Sequence, residues 1–454
     1  MSTFAFVLGV LFMATGIALS IALHEVGHLL PAKRFGVRVT QYMVGFGPTM
    51  WSRRRGETEY GVKVVPLGGY IRMIGMFPPR RGDAPGTVRS SSTGRFGQLM
   101  EEARAASLEE LRPGDEDRVF YRLSVPKKLV IMLGGPTMNL LIGIVLLTLM
   151  VTVHGLQTPR PGAEVVEVAQ CVVPATEYTA STTCEGRPET PAVAAGILPG
   201  DRFVSIDGAP VEDILDVGTL IRPETGSPVE IVVERDGREV TLTATPVSNV
   251  VPVLDGDGNP VTGPDGAVQT TTAGFLGVTN VQPTEYEPQP LSAVPGIVWG
   301  YTTLTGEALV HIPERMGGVW DAAFGGAQRE LDSPMSVVGV GRVAGEVGAG
   351  RHDAIFGESV SDKLWTLVGL LAGLNIMLFL FNLIPLLPLD GGHVAGALWE
   401  GLKRQWARLR GRPDPGYVDV AKALPVAYTV SVVILGMSLL LIYADIVKPI
   451  DLGG

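Results

Sequence analysis

The chain of 454 residues carries a net charge of −10, is 46% hydrophobic and has a mean hydropathy of +0.28. That length allows more than one domain, and the apolar excess argues against an ordinary soluble protein. The acidic balance argues against nucleic-acid binding, and the preference for Arg over Lys reads as compositional bias.

Residues Phe4 to Leu23 form an uncharged run long enough to cross hydrocarbon. A secretory signal is the competing identity, but the first ten residues hold no Lys or Arg to make its charged start. The run leads directly into His24-Glu25-Val26-Gly27-His28. On a helix, His24 and His28 share a face and can meet one Zn²⁺, with Glu25 beside the water that the metal activates. Ionisable groups at bilayer depth are costly unless they line a functional cavity, so the position itself asks for a function.

From Val37 to Met76 the pattern alternates and is punctuated by Gly and Pro, which predicts strands joined by turns, with Tyr60 to Val65 the most strand-like piece. A mobile stretch is expected over 80–94 and an exposed charged helix over 98–111. Leu129 to Val153 is a second span. The long acidic loop beyond it, 156–363, contains a small domain at about residues 186–247. There Ala195 to Asp201 reads as a Gly-rich turn before a short strand, and Val229 to Arg235 and Glu239 to Thr245 form a hairpin across Asp236-Gly237. The pattern resembles a PDZ domain, which would offer backbone N–H groups of Gly196, Leu198 and Gly200 to a peptide end; a β-rich domain without a peptide site is the alternative. Cys171 and Cys184 are read as a disulfide of an oxidising compartment, since no His lies near enough in sequence for a metal pair.

Residues Asn249 to Thr272 read as a flexible, turn-rich insertion. Asp255, Asp257 and Asn259 begin like a calcium loop, but Pro260 and Gly266 occupy the positions that need Gly and Glu. Gly339, Gly341 and Gly345 miss the dinucleotide fingerprint, and with no phosphate-binding P-loop present a nucleotide-driven activity is not expected. Leu364 to Leu389 and Ala423 to Ala444 are the third and fourth spans. The loops 31–127 and 391–422 carry excess Lys and Arg whereas 156–363 is strongly acidic, which places both termini outside the cytoplasm and the first motif near the cytoplasmic side. The expected fold is a polytopic α-helical membrane protein with four transmembrane helices, a membrane-associated β-hairpin or sheet region, and an extracytoplasmic PDZ-like α+β domain. Its segments are 1–30, 31–127, 128–155, 156–363, 364–390, 391–422 and 423–445.

A catalytic zinc takes three protein ligands and keeps one open position. His393 lies on the correct side, but Asp390 is the better third ligand: it ends the uncharged run Asn382-Leu383-Ile384-Pro385-Leu386-Leu387-Pro388-Leu389 at the depth of His28. Two prolines and Gly391-Gly392 are expected to break and end the helix there, turning Asp390 inward. Taken singly, Asp390 reads as an interfacial charge and Asn382 as an interhelical hydrogen-bonding residue.

HEVGH in the first span together with NLIPLLPLDGG in a late one resembles the site-2 protease family of intramembrane zinc metalloproteases. Gly45 to Pro48, Pro66 to Tyr70, Gly135-Pro136 with Asn139, and a PDZ-like insert resemble its bacterial regulator-of-sigma-E protease branch, although a single PDZ-like unit is recognisable. The resemblance implies one Zn²⁺ per chain held by His24, His28 and Asp390, with Glu25 as general base and Asn382 positioning substrate or the developing oxyanion. It also implies a bacterial cell membrane location and single-span substrates such as anti-sigma factors. Strand addition along Tyr60, Val62 and Val64 is an expected way to hold an unwound substrate, an ordinary covering hairpin being the alternative. A noncatalytic zinc-containing membrane adaptor that binds peptides is the other class of reading. An open coordination position beside Glu25 argues against it, and few polar residues in the second span argue against a metal transporter.

Overall fold

The computed structural model describes residues 2–78, 111–177, 183–255, 260–263, 267–351, 356–357 and 359–450. The segments expected to be mobile (80–94) or a charged helix (98–111) lie outside the described residues, except for Leu111. The chain divides into two units: residues 1–154 with 289–454, and residues 155–288.

The first unit holds four helices long and apolar enough to cross a membrane: Thr3–Arg34, Val125–His154, Val360–Asn382 and Val420–Val447. Helix α1 (Ser2–Arg34) continues through HEVGH and stops at Gly36. There the N–H of Gly36 bonds to the carbonyl of Lys33 and that of Val37 to Ala32, a six-residue closure that requires the positive φ of 82° at Gly36. Strands β1 (Val39–Arg55) and β2 (Thr58–Met73) follow. Helix α2 (Val125–Leu149) ends in a π-helical turn, Met150–His154. Helices α3 (Val294–Val310) and α4 (Ile312–Phe324) precede α5 (Val337–Ala349), which packs on α1. Helix α6 (Val360–Asn382) crosses beside α1 and α2, and α7 (Asp390–Leu409) and α8 (Leu424–Val447) complete the unit.

Small residues allow the spans to touch. A Cβ on Gly27 would lie 2.2 Å from the carbonyl oxygen of Gly134, and one on Gly9 would lie 2.1 Å from that of Ala344, so both helix pairs meet backbone to backbone. Buried Asn375 of α6 donates to Ser20 of α1 at 3.0 Å, a polar tie between the two helices. Near the end of α8, Asp445 pairs with buried Arg329 and accepts the Ser336 N–H at 2.7 Å.

Two expectations about this unit are corrected. The third span, expected from Leu364 to Leu389, is helical only as far as Asn382, and the break itself falls where Pro385 and Pro388 were expected to put it. Gly391-Gly392 open α7 instead of ending a helix. A Cβ at Gly391 would meet the Ile384 carbonyl at 2.3 Å, and one at Gly392 the Leu387 nitrogen at 2.6 Å, so both glycines serve the sharp fold-back of 383–389 onto the new helix.

The β1–β2 ladder is doubly used. Residues 39–44 pair with 69–73 on one side and 59–62 on the other, while 58–62 also pair with 51–55. Val62 is thus flanked by Val44 and Trp51, and Tyr60 by Tyr42 and Arg53. Within the piece expected over Tyr60 to Val65, Tyr60 to Val62 are therefore interior and cannot accept a substrate strand; among the described residues the outer strands of this ladder are 49–55 and 69–73. Alternation predicted a strand there but carries no information on how many neighbours it has.

The second unit contains a six-stranded sheet ordered β11-β4-β5-β7-β8, with β6 paired to β5: β4 (Ala163–Val168), β5 (Arg202–Ile206), β6 (Ala209–Pro210), β7 (Val229–Arg235), β8 (Arg238–Ala244) and β11 (Val278–Val281). Phe203, Ile206, Ile231 and Val233 fill its core beneath the helix Ile214–Ile221. Asp236 and Gly237, both at positive φ, make the expected hairpin turn. The compact unit reaches beyond 186–247 because β4 and β11 belong to the same sheet. The insertion expected to be irregular contributes β9 (Val247–Pro252) and β10 (Thr270–Phe275), which pair with each other. Strands β3 (Leu156–Pro159) and β12 (Thr284–Glu287) pair at the unit's two ends. Cys171 and Cys184 are disulfide-bonded, with Cα atoms 5.5 Å apart.

Candidate metal centre

Four-residue spacing on α1 sets the His24 and His28 rings edge to face, with Nε2 atoms 3.2 Å apart. Asp390, the first residue of α7, brings Oδ2 to 3.3 Å from each of them. The three atoms form a nearly equilateral triangle. Zinc–nitrogen bonds of about 2.0–2.1 Å in a tetrahedral site imply ligand–ligand edges of roughly 3.3–3.4 Å, so these residues fit a zinc ion with one corner left open.

The surroundings support that fit. The ring nitrogen Nδ1 of His28 lies 2.7 Å from the Ile131 carbonyl, which can only accept. This fixes Nδ1 as the protonated nitrogen and leaves the Nε2 lone pair for a metal. At Gly135 on α2 a Cβ would fall 2.2 Å from His28 Nε2 and 2.7 Å from His24 Nε2, so the missing side chain is what makes room. Nδ1 of His24 is buried without a hydrogen-bond partner among the described residues. His393, one turn along α7 from Asp390, is held below the usual histidine range by burial, which favours the neutral imidazole.

Glu25 is 8% exposed and lies within the electrostatic field of His28, His24 and Asp390. The edge 69–73 runs alongside it: the Ile71 backbone hydrogen-bonds its carboxylate, and a Cβ on Gly69 would sit 2.8 Å from its Cγ. Tyr42 on the neighbouring strand donates to the Ala22 carbonyl at 2.8 Å, fastening the sheet to α1. Burial and then the Glu25 charge push the Tyr42 hydroxyl up to about 12, so it remains a neutral donor. Asn382 is the last residue of α6, and the fold-back 383–389 separates it from Asp390. Sequence reading thus named His24, Glu25, His28 and Asp390, held Gly69 only within the Pro66 to Tyr70 motif, and missed Ile131 and Ile71. No spacing rule flags a carbonyl or a strand edge; Gly135 was visible only as part of a motif.

In the second unit, the expected carboxylate loop is closed. The N–H groups of Gly196, Ile197, Leu198, Gly200 and Asp201 are committed to Val193, Ala192, the Asp201 side chain, Val165 and Leu198 respectively. Arg235 locks the same turn by bonding Asp201 and the Gly196 carbonyl. Gly196, Leu198 and Gly200 therefore cannot present N–H groups to a peptide end. A separate groove of about 630 Å³ lies between the helix Ile214–Ile221 and β11, lined by Ile214, Val217, Gly218, Leu276, Gly277 and Val278 among others.

A model of peptidase family M50 matches residues 12–415. Zinc metalloprotease Rip1 of Mycobacterium tuberculosis is 36% identical over 454 residues, covering 98% of this chain and 99% of the relative. Rip1 of Mycolicibacterium smegmatis is 33% identical over 462 residues, with the same coverage of 98% and 99%. Zinc metalloprotease RasP of Geobacillus kaustophilus is 25% identical over 417 residues, covering 82% and 84%. With the family model spanning most of the sequence and Rip1 matching it end to end, the chain belongs to peptidase family M50, the site-2 proteases, as a multi-pass membrane zinc metalloprotease with Zn²⁺ as its cofactor.

Proposed function

We propose that this chain hydrolyses a peptide bond within the membrane-spanning segment of single-span proteins of the anti-sigma-factor type, with His24, His28 and Asp390 holding the zinc and Glu25 as general base. The observation that carries the reading is the triangle of three ligand atoms, 3.2–3.3 Å on a side, with a buried carboxylate beside it on the same helix. Bound zinc supplies Lewis acidity, lowering the pKa of a water toward about 7 and polarising a carbonyl. Glu25 then takes the proton from the attacking water and delivers it to the leaving amine. Its burial keeps bulk water from competing for that proton. Asn382, by the family resemblance, orients the substrate or the developing oxyanion.

A helical substrate hides its carbonyls, so it must be extended before hydrolysis. The outer strand 69–73 supports a route for this: a substrate strand laid along Gly69 and Tyr70 would pass directly by Glu25. In the second unit the groove between the helix Ile214–Ile221 and β11 supports a PDZ-type reading, in which an extended chain end would add to β11 against that helix. The loop charges support a cytoplasmic-side active site with both termini outside, in a bacterial cell membrane.

The test compares purified parent protein with Glu25→Gln for zinc content and for cleavage of a tagged single-span substrate. Equal zinc with cleavage lost is expected. Cleavage equal to the parent's would overturn the assignment of Glu25 and, with it, the reading.

A further inference from the structure

Helix α7 is built inside out for a protein surrounded by water. Its inner face carries charge: Glu400 receives Lys128 of α2 at 2.8 Å and Arg404 at 3.0 Å, with the Glu400 and Lys128 side chains only 3% and 6% exposed. Its outer face is apolar. Leu398, Trp399, Leu402, Trp406 and Leu409 are all exposed, Trp399 and Trp406 at 55% each. At 3.6 residues per turn these five fall within about 100° of the helix circumference, a single continuous stripe. The helix is too polar in its sum to qualify as a span.

Cations border the stripe. Lys403 and Arg408 lie on the helix and Arg410 and Arg412 just past its end, and among the described residues none of them enters an ion pair; Arg410 stacks over the Trp406 ring at 4.4 Å. A shallow pocket of about 490 Å³ is lined by Trp399, Leu402, Trp406 and Pro413, with Lys403 and Arg412 also in its lining. Apolar walls beside positive charge match an acyl chain joined to an anionic headgroup.

We propose that α7 lies in the headgroup plane of the membrane as a binding surface for anionic phospholipid, its stripe in the acyl region and its four cations on the phosphates. The charge complementarity favours a lipid leaflet over a protein occupant, and the leaflet on this side is the cytoplasmic one if the orientation proposed above holds. Asp390 is the first residue of α7, so the seat of the helix on the lipid also sets the depth of a metal-ligand candidate. Anionic lipid would then raise turnover without any contact with substrate.

The full-length protein is reconstituted in phosphatidylcholine vesicles with or without phosphatidylglycerol, and its tryptophan fluorescence is read with brominated acyl chains. Brominated lipid should quench a component that disappears in Trp399→Phe/Trp406→Phe. Phosphatidylglycerol should raise substrate cleavage several-fold in the parent but not in Lys403→Gln/Arg408→Gln/Arg410→Gln/Arg412→Gln, which leaves the Glu400 cluster and zinc content intact. Absence of the Trp399 and Trp406 component overturns the proposal by showing the stripe covered by protein. Equal stimulation of parent and neutralised variant overturns the anionic-lipid assignment. Quenching needs no cleavage, so it stands or falls separately from the proteolytic reading.

Discussion

Gly135 is the residue on which the geometry of the metal triangle most depends, because the space its hydrogen leaves is the space the two imidazoles occupy. Gly135→Ala places a methyl 2.2 Å from His28 Nε2, a distance that the His28 ring cannot evade while Ile131 holds its opposite nitrogen. Zinc affinity is expected to fall by about 10- to 100-fold or more, the range seen when ligand orientation is lost; metal analysis after dialysis checks this, and full retention of zinc would contradict it. Gly69→Val should act differently. Its side chain meets Glu25 and not the metal ligands, so zinc stays bound while turnover falls on the order of 10²-fold, as expected for a catalytic group displaced by an ångström. At this scale the sequence was informative wherever chemistry had a side chain. HEVGH announces its roles through spacing, and Asp390 through its depth, whereas a carbonyl such as Ile131 and an absence such as Gly135 leave no chemical signature.

The anchoring of α7 turns on a buried ion pair whose two halves are far apart in the chain. Glu400 accepts from Lys128, Arg404 and the Val418 N–H, and Tyr417 lies 5.3 Å from both cations, so removing the carboxylate leaves Lys128 buried without its counter-charge. Glu400→Gln is expected to cost about 3–5 kcal/mol, the usual penalty for breaking a buried pair, while Lys128→Met/Glu400→Leu recovers most of it. Thermal unfolding in detergent measures both, and a double variant no more stable than the single would reject the pair as the cause. Elements themselves were largely legible from hydropathy and alternation, their neighbours were not. The Tyr60 to Val65 strand was recognisable but not the interior place of its first residues, since the pairing of Val62 with both Val44 and Trp51 is a property of the folded ladder. Gly391-Gly392 looked like a stop because glycine commonly ends helices. Here the same lack of a side chain serves the start of one, where 383–389 folds back against it. Gly196 to Gly200 looked like an open N–H nest, and long-range bonds to Val165 and Arg235 closed it.

At the scale of the whole molecule, the second unit is an insertion whose removal should leave the membrane unit intact. The membrane unit brings its own two chain ends together, with the Gln289 N–H donating to the Val151 carbonyl at 2.8 Å. The inserted unit is closed likewise, Leu156 opposite Glu287 and Pro159 opposite Thr284, and carries its own core and disulfide. Replacing residues 156–287 by a short Gly-Ser linker is therefore expected to preserve zinc content and the thermal transition of the remaining helices, because no ligand candidate, no part of the 69–73 edge and no member of the Glu400 cluster is removed. Loss of zinc from the shortened protein would show that the two units fold as one. The same protein also separates two roles for the groove at β11. If that groove screens substrates by capturing a shortened chain end, the excised form should cleave pre-shortened and full-length single-span proteins at similar rates, whereas the intact chain favours the former. If the excised form still excludes full-length substrates, the discrimination resides in the membrane unit, and the strand 69–71 beside Glu25 becomes the place where it is made.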